Sequence, residues 1–226
     1  MAYLFLWPGM DAPQFLIPAG KVRCPRFGEW VWGIGKTAFG VGLLWGLSRS
    51  YGSGLLAGWT GMVGLIFLLH FGIFSLLALG WQTLGVRAEP LMCLPALSDS
   101  LSDFWGKRWN SAFRDLSFNL LFRPLRQWVG SRWAMMLTFL ISGLIHDLVI
   151  SVPAEGGYGL PTLYFVIQGA GVLLEHSTLK GWIRRRGSWR GRLLTLLVVT
   201  APVPLLFHPA FVLRVIIPFM QLIKAL

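Results

Sequence analysis

A chain of 226 residues that is 55% hydrophobic and only 13% charged, with 12 Trp and 16 Phe, has the composition of a membrane protein and not of a soluble domain. Its formal charge of +11 is collected between apolar runs, with neither zinc-finger spacing nor a basic aromatic sheet pattern, which excludes nucleic acid as the expected partner. Membrane lipids are the expected surroundings, and Cys24 and Cys93 have neither metal-ligand spacing nor the numbers for a disulfide framework.

In chain order, the opening Met1-Ala-Tyr-Leu-Phe-Leu-Trp-Pro-Gly9 lacks the basic start and small-residue cleavage site of a secretory signal, so it is expected to remain in the mature chain. Six apolar runs follow, at roughly 30–47, 54–79, 133–152, 160–174, 193–207 and 210–226. The second is long enough to tilt, and Pro202 and Pro204 break the fifth. Arg214 and Pro218 make the sixth the weakest, able to lie along the interface instead. Gly42/Gly46 and Gly54/Gly58 have GxxxG spacing and are read as helix packing. The expected fold is all-α: a multi-pass bundle of about six spanning helices with an interfacial amphipathic segment, in one membrane domain over 1–226.

Charges orient this bundle. Lys21, Arg23 and Arg26 precede the first run; Arg87, Lys107, Arg108, Arg114, Arg123, Arg126 and Arg132 lie between the second and third. Lys180, Arg184, Arg185, Arg186, Arg190 and Arg192 follow the fourth, whereas 51–53, 153–158 and 208–209 contain no Lys or Arg. That alternation places both termini and both long basic segments on the cytoplasmic side, with Arg49 fitting poorly.

The segment between the second and third runs contains Ser100-Leu-Ser-Asp-Phe-Trp-Gly-Lys-Arg-Trp-Asn110. Ser98 or Ser100 suits a helix cap and Asp103 its first turn. Asp103, Lys107, Asn110 and Arg114 then fall on one helical face, with Trp105, Trp109, Phe113 and Leu116 mostly on the other. Pattern alone is equally satisfied by an amphipathic surface helix anchored by its aromatics. In the third run, His146 follows Ser142-Gly-Leu-Ile, and an ionisable side chain in a membrane-length apolar run marks a candidate site. His70 in the second run is the rival, read otherwise as a donor to a neighbouring helix. Gln168 reads as a packing contact, Glu175 and His176 as residues of a helix end near water, and His208 as structural. No Ser–His–Asp constellation or metal-ligand cluster stands out.

Ser100–Asn110 and Ser142-Gly-Leu-Ile-His-Asp147 resemble the two signature segments of the membrane-bound O-acyltransferases. The likeness is strongest to the wax synthase branch, with its pattern S-L-x-D-F-W-G-R-R-W-N followed by S-G-L-x-H-[E/D]. Lys107 stands where Arg is usual and Asp147 where Glu is frequent. The resemblance implies transfer of a fatty acyl group from acyl-CoA, a co-substrate and no bound cofactor, to an alcohol or lipid hydroxyl. It assigns His146 the role of general base and Asn110 that of donor and orienter; Asp103, Trp105, Lys107, Arg108, Trp109 and Arg114 are expected to contact substrate. Arg184–Arg186 are candidates for the phosphates of coenzyme A. Family members are usually longer, so the chain is expected to be either a minimal member or a piece lacking N-terminal helices. A non-catalytic membrane protein, a small transporter or an assembly subunit, remains the alternative.

Overall fold

The computed structural model describes residues 24–177 and 189–226. Lys21, Arg23, Lys180 and Arg184–Arg186 lie outside these residues. Among the described residues all regular structure is helical, and each of the six apolar runs falls on helix. Among the described residues three helices are long and apolar enough to cross a bilayer: Leu55–Thr83, Ser111–Ser151 and Trp189–Leu206, with Pro209–Leu222 a shorter apolar helix. Large apolar side chains on the outside, among them Trp32, Trp128, Trp133 and Trp189, are what lipid and its interface accept and water does not. The chain forms two compact units, Met1–Met92 with Ile216–Leu226, and Cys93–Val215.

The first unit contains α1 (Phe27–Val41) and α2 (Leu55–Thr83). α1 widens over Gly42–Gly46 and tightens over Leu47–Tyr51 before Gly52 turns the chain with φ 67°. Of the two GxxxG pairs only Gly58 is buried; the close crossing is made instead by Gly40 and Gly64, where a Cβ on Gly64 would lie 3.0 Å from the Gly40 carbonyl oxygen. Leu44, Met220 and Ala225 form the buried centre. Here Arg49, the residue the charge pattern could not place, has a reason. Its guanidinium donates to the carbonyls of Lys224 and Ala225, and Trp45 Nε1 donates to Ile223 O at 3.2 Å. These are helix-end carbonyls, which have no partner within their own helix. Arg214 in the second unit does the same for Ala154 O and Glu155 O, both at 3.0 Å.

The second unit holds the signature segments. α3 starts at Leu101–Asp103 and widens over Phe104–Arg108. α4 (Ser111–Ser117) leads through a wide turn at Phe118–Phe122 into α5 (Arg123–His146), followed by another wide turn at Asp147–Ser151. α6 is Leu160–Ser177 and α7 is Trp189–Thr200. The expected break in the fifth run is present, as a turn at Ala201–Pro202 before Val203–Leu206. Inside α5, Gly130 takes φ 77°, ψ 167°, a region open essentially to glycine alone, so the helix bends there.

The single polar face expected through Asp103, Lys107, Asn110 and Arg114 does not exist. Helix stops at Arg108, Trp109 is extended, and Asn110 is left-handed at φ 43°, ψ 74°. Asn110 Oδ1 then accepts from Phe113 N at 3.1 Å and caps α4. Periodicity cannot register such a break, because Asn is among the few residues that enter the left-handed region readily and also cap well.

Candidate active site

His146 sits at the C-terminal end of α5, half-buried, with its Nδ1 2.7 Å from Ser142 O one turn earlier. A carbonyl can only accept, so Nδ1 carries the hydrogen and Nε2 of the neutral ring keeps the lone pair. The ring is flanked by Phe165 of α6, centroids 4.4 Å apart, and by Phe113 of α4, edge-on at 6.0 Å. Phe113 is the residue whose backbone N–H is capped by Asn110. The two residues singled out from sequence are therefore joined through one aromatic neighbour. Asn110 has its amide plane fixed by the cap, and His146 has its tautomer fixed by the Ser142 carbonyl.

The Ser-Gly of the second signature has a spatial meaning. A Cβ on Gly143 would lie 2.7 Å from Thr162 Cα and 3.2 Å from Phe165 Cβ, so only glycine lets α6 approach α5 closely enough to set Phe165 against His146. Asp147 makes the next contact. Its Oδ1 accepts from Ser151 Oγ at 2.8 Å and Gly159 N at 2.9 Å, and its Oδ2 from Thr162 N at 3.1 Å and from the Thr162 hydroxyl. These backbone N–H groups lie at the start of α6, where a carboxylate is favoured by both the unpaired donors and the helix dipole. Asp147 thus holds α6, and not the neighbouring His146 ring.

Ser151, His208 and Asp147 do come together, but in the wrong order for nucleophilic catalysis. His208 Nδ1 accepts from Phe211 N at 3.3 Å, so its Nε2 donates to Ser151 Oγ at 3.3 Å, and Ser151 donates on to Asp147. Burial pushes the His208 ring below its ordinary pKa against the opposing pull of Asp147. That agrees with a neutral ring serving as a helix cap, the structural part read for it.

The other signature residues are placed as follows. Trp105 lies between Phe139 and Phe165, centroids 5.9 Å from each, and its Nε1 donates to Gln168 Oε1 at 3.2 Å. Trp109 stacks on Phe104 at 5.5 Å. Asp103 pairs with Arg108 at 2.5 Å, and this hydrogen bond raises the guanidinium pKa further; Arg108 also reaches Cys93 O at 3.3 Å. Arg114 pairs with Asp115 at 2.6 Å and donates to Gly106 O at 3.4 Å. Lys107 is exposed and makes no ion pair among the described residues.

Two residues carry more than their sequence context suggested. Gln168 is completely buried and relays from Trp105 to Val198 O, 2.9 Å from its Nε2. Glu175, expected to be an idle helix end, accepts from Leu101 N, Ser102 N and Ser102 Oγ, and His176 contacts the same hydroxyl at 3.2 Å. A capping pair 74 residues apart leaves no local pattern to find. His70 belongs to the first unit, on α2; its Nδ1 is buried without a hydrogen-bond partner among the described residues, and its ring meets Phe74 edge-on at 5.5 Å.

Residues 88–167, which contain both signatures, match the family model described as membrane bound O-acyl transferase family, bearing out the resemblance read from the motifs. Curated relatives agree. Probable long-chain-alcohol O-fatty-acyltransferase 9 of Arabidopsis thaliana is 35% identical over 145 residues, which is 58% of this chain and 42% of the relative. Probable long-chain-alcohol O-fatty-acyltransferase 6 of the same plant is 31% identical over 157 residues, covering 64% and 44%. Long-chain-alcohol O-fatty-acyltransferase of Simmondsia chinensis is 32% identical over 101 residues, covering 38% and 29%. The chain thus spans less than half the length of these relatives.

Proposed function

We propose that the protein transfers a fatty acyl group from acyl-CoA to the hydroxyl of a lipid-like acceptor, a long-chain alcohol by the names of its relatives. The observation that carries this reading is the tautomer of His146: a ring whose Nδ1–H is held by Ser142 O presents a basic Nε2. Nε2 removes the proton as the alcohol oxygen attacks the thioester carbon. The C–O bond forms, the C–S bond breaks, and the proton passes to the departing sulfur, giving an ester and free coenzyme A. A base so placed contributes ~10²–10⁴-fold. Asn110 stabilises or orients the thioester carbonyl as charge develops on its oxygen. Lys107 and Arg114 face the cytoplasmic approach of acyl-CoA, and Asp103, Trp105, Arg108 and Trp109 shape the chamber wall.

The direct test is thiol release from acyl-CoA by purified protein in the presence of a panel of alcohols. We expect His146→Ala to abolish release while the protein remains inserted and folded, and His70→Ala to reduce it far less. The reverse result would remove His146 as the base. No release by the wild type with any acceptor would leave the non-catalytic alternative.

The same reading takes the shorter helices as membrane-crossing too. α1 with its extension to Gly46 covers roughly 30 Å at 1.5 Å per residue, the thickness of a hydrocarbon core. About six crossings put both termini and the basic segments in the cytoplasm, the side from which acyl-CoA arrives, with α3 near the interface.

A further inference from the structure

Every backbone N–H at the start of α3 has a partner, and two of the four partners come from a distant helix. Phe104 N reaches Ser100 O at 2.9 Å and Asp103 N reaches Ser100 Oγ at 3.0 Å, the local cap. Leu101 N donates to Glu175 Oε1 at 2.6 Å and Ser102 N to Glu175 Oε2 at 3.1 Å, while Ser102 Oγ adds a third bond to Oε2 at 3.1 Å. First-turn N–H groups lack partners within a helix, and a carboxylate with one oxygen for each is the strongest acceptor available to them.

Glu175 does not act alone. On α6, Phe165, Gln168, Val172 and Glu175 recur at helical spacing and share one side. That side meets α3 along its length: Val172 packs with Leu101 and Phe104, Gln168 accepts from the Trp105 indole, and Phe165 touches both Trp105 and His146. Asp99, just before the cap, pairs with Arg192 of α7 at 2.9 Å. α3 ends at Arg108, two residues before the left-handed Asn110. A shift of its start is therefore transmitted to the cap of α4 and to Phe113.

We infer that Glu175 is a positioning residue: its carboxylate clamps the start of α3 onto α6, and so sets Asn110 relative to His146. This rests on the acyl-transfer reading for its effect on rate, whereas the clamp itself is open to a test that needs no activity. Displacements of about an ångström far from the chemistry are enough to lower rates by ~10²-fold.

Hydrogen–deuterium exchange of the peptide covering 100–110, together with steady-state kinetics, examines both halves on the full chain in detergent. Glu175→Ala is expected to speed exchange at Leu101 and Ser102 and to lower kcat about 10- to 100-fold with little change in KM for acyl-CoA. Glu175→Gln, with one accepting oxygen in place of two, should be intermediate in both and keeps the fold testable if Glu175→Ala does not accumulate. Faster exchange with kcat intact overturns the positioning role, and unchanged exchange at these amides overturns the clamp. Should the wild type release no thiol, the acyl-transfer reading fails, and the exchange result still decides the clamp.

Discussion

At the residue scale, the left-handed backbone of Asn110 changes what a substitution there tests. Asn110→Ala removes a cap worth about 0.5–2 kcal/mol and strains a backbone with φ 43° by about 1–2 kcal/mol, so its loss of rate mixes folding with chemistry. Asn110→Asp keeps an accepting oxygen for Phe113 N and tolerates the left-handed region, but gives up the amide donor. If the donor steadies the thioester oxygen, Asn110→Asp should leave the melting temperature near wild type and lower kcat and kcat/KM together by ~10²–10³-fold. If the residue serves only as a cap, Asn110→Asp will be active and Asn110→Ala merely unstable. Thermal melting alongside kinetics separates the two. That Asn110 and His146 could be singled out in the sequence as candidates follows from their chemistry, an imidazole in an apolar run and an amide closing an aromatic motif. That Asn110 is a cap was not, because its partner is a backbone N–H whose availability depends on where the helix breaks.

At the element scale, the packing of α5 on α6 is the part of the site that motif reading names without explaining. Gly143→Ala improves helix propensity by about 1 kcal/mol, yet puts a methyl 2.7 Å from a backbone atom, Thr162 Cα, that cannot turn aside. Overpacking of this kind costs about 1–3 kcal/mol and must move the two helices apart. A lower melting temperature and a fall in activity are expected, as Phe165 draws away from the His146 ring. A Cβ added at Gly80 of α2 would have nothing within 4 Å, and Gly80→Ala should raise stability or leave it unchanged. Opposite signs in one melting experiment would tie the Ser-Gly of the signature to helix approach; equal signs would remove that account. The six apolar runs that hydropathy marked each fall on helix among the described residues, since apolar length is a local property. It missed Glu175 and Asp147 because each caps a helix distant from itself, Glu175 at the start of α3 and Asp147 at the start of α6. The GxxxG pairs misled for the converse reason: spacing shows which glycines share a face, not which face a neighbour covers.

At the scale of the whole molecule, the number of crossings fixes which side each loop occupies, and the two native cysteines report on it. Cys24 and Cys93 are both exposed, one before α1 and the other after α2. If only the three long apolar helices cross, a single crossing, α2, separates them, and they lie on opposite sides. If α1 crosses as well, two crossings separate them and both face the same compartment. In the orientation proposed above, that compartment is the cytoplasm. A membrane-impermeant maleimide should then label neither cysteine in intact cells and both after permeabilisation. A cysteine introduced at Gly156, beyond the Ser111–Ser151 helix and in a Cys24→Ser/Cys93→Ser background, should be labelled from outside without permeabilisation. Labelling of Cys24 alone in intact cells would return α1 to the interface and reduce the number of crossings. Labelling of Cys93 from outside would reverse the orientation of Asn110 and Lys107, and with it the side from which a coenzyme A thioester reaches His146.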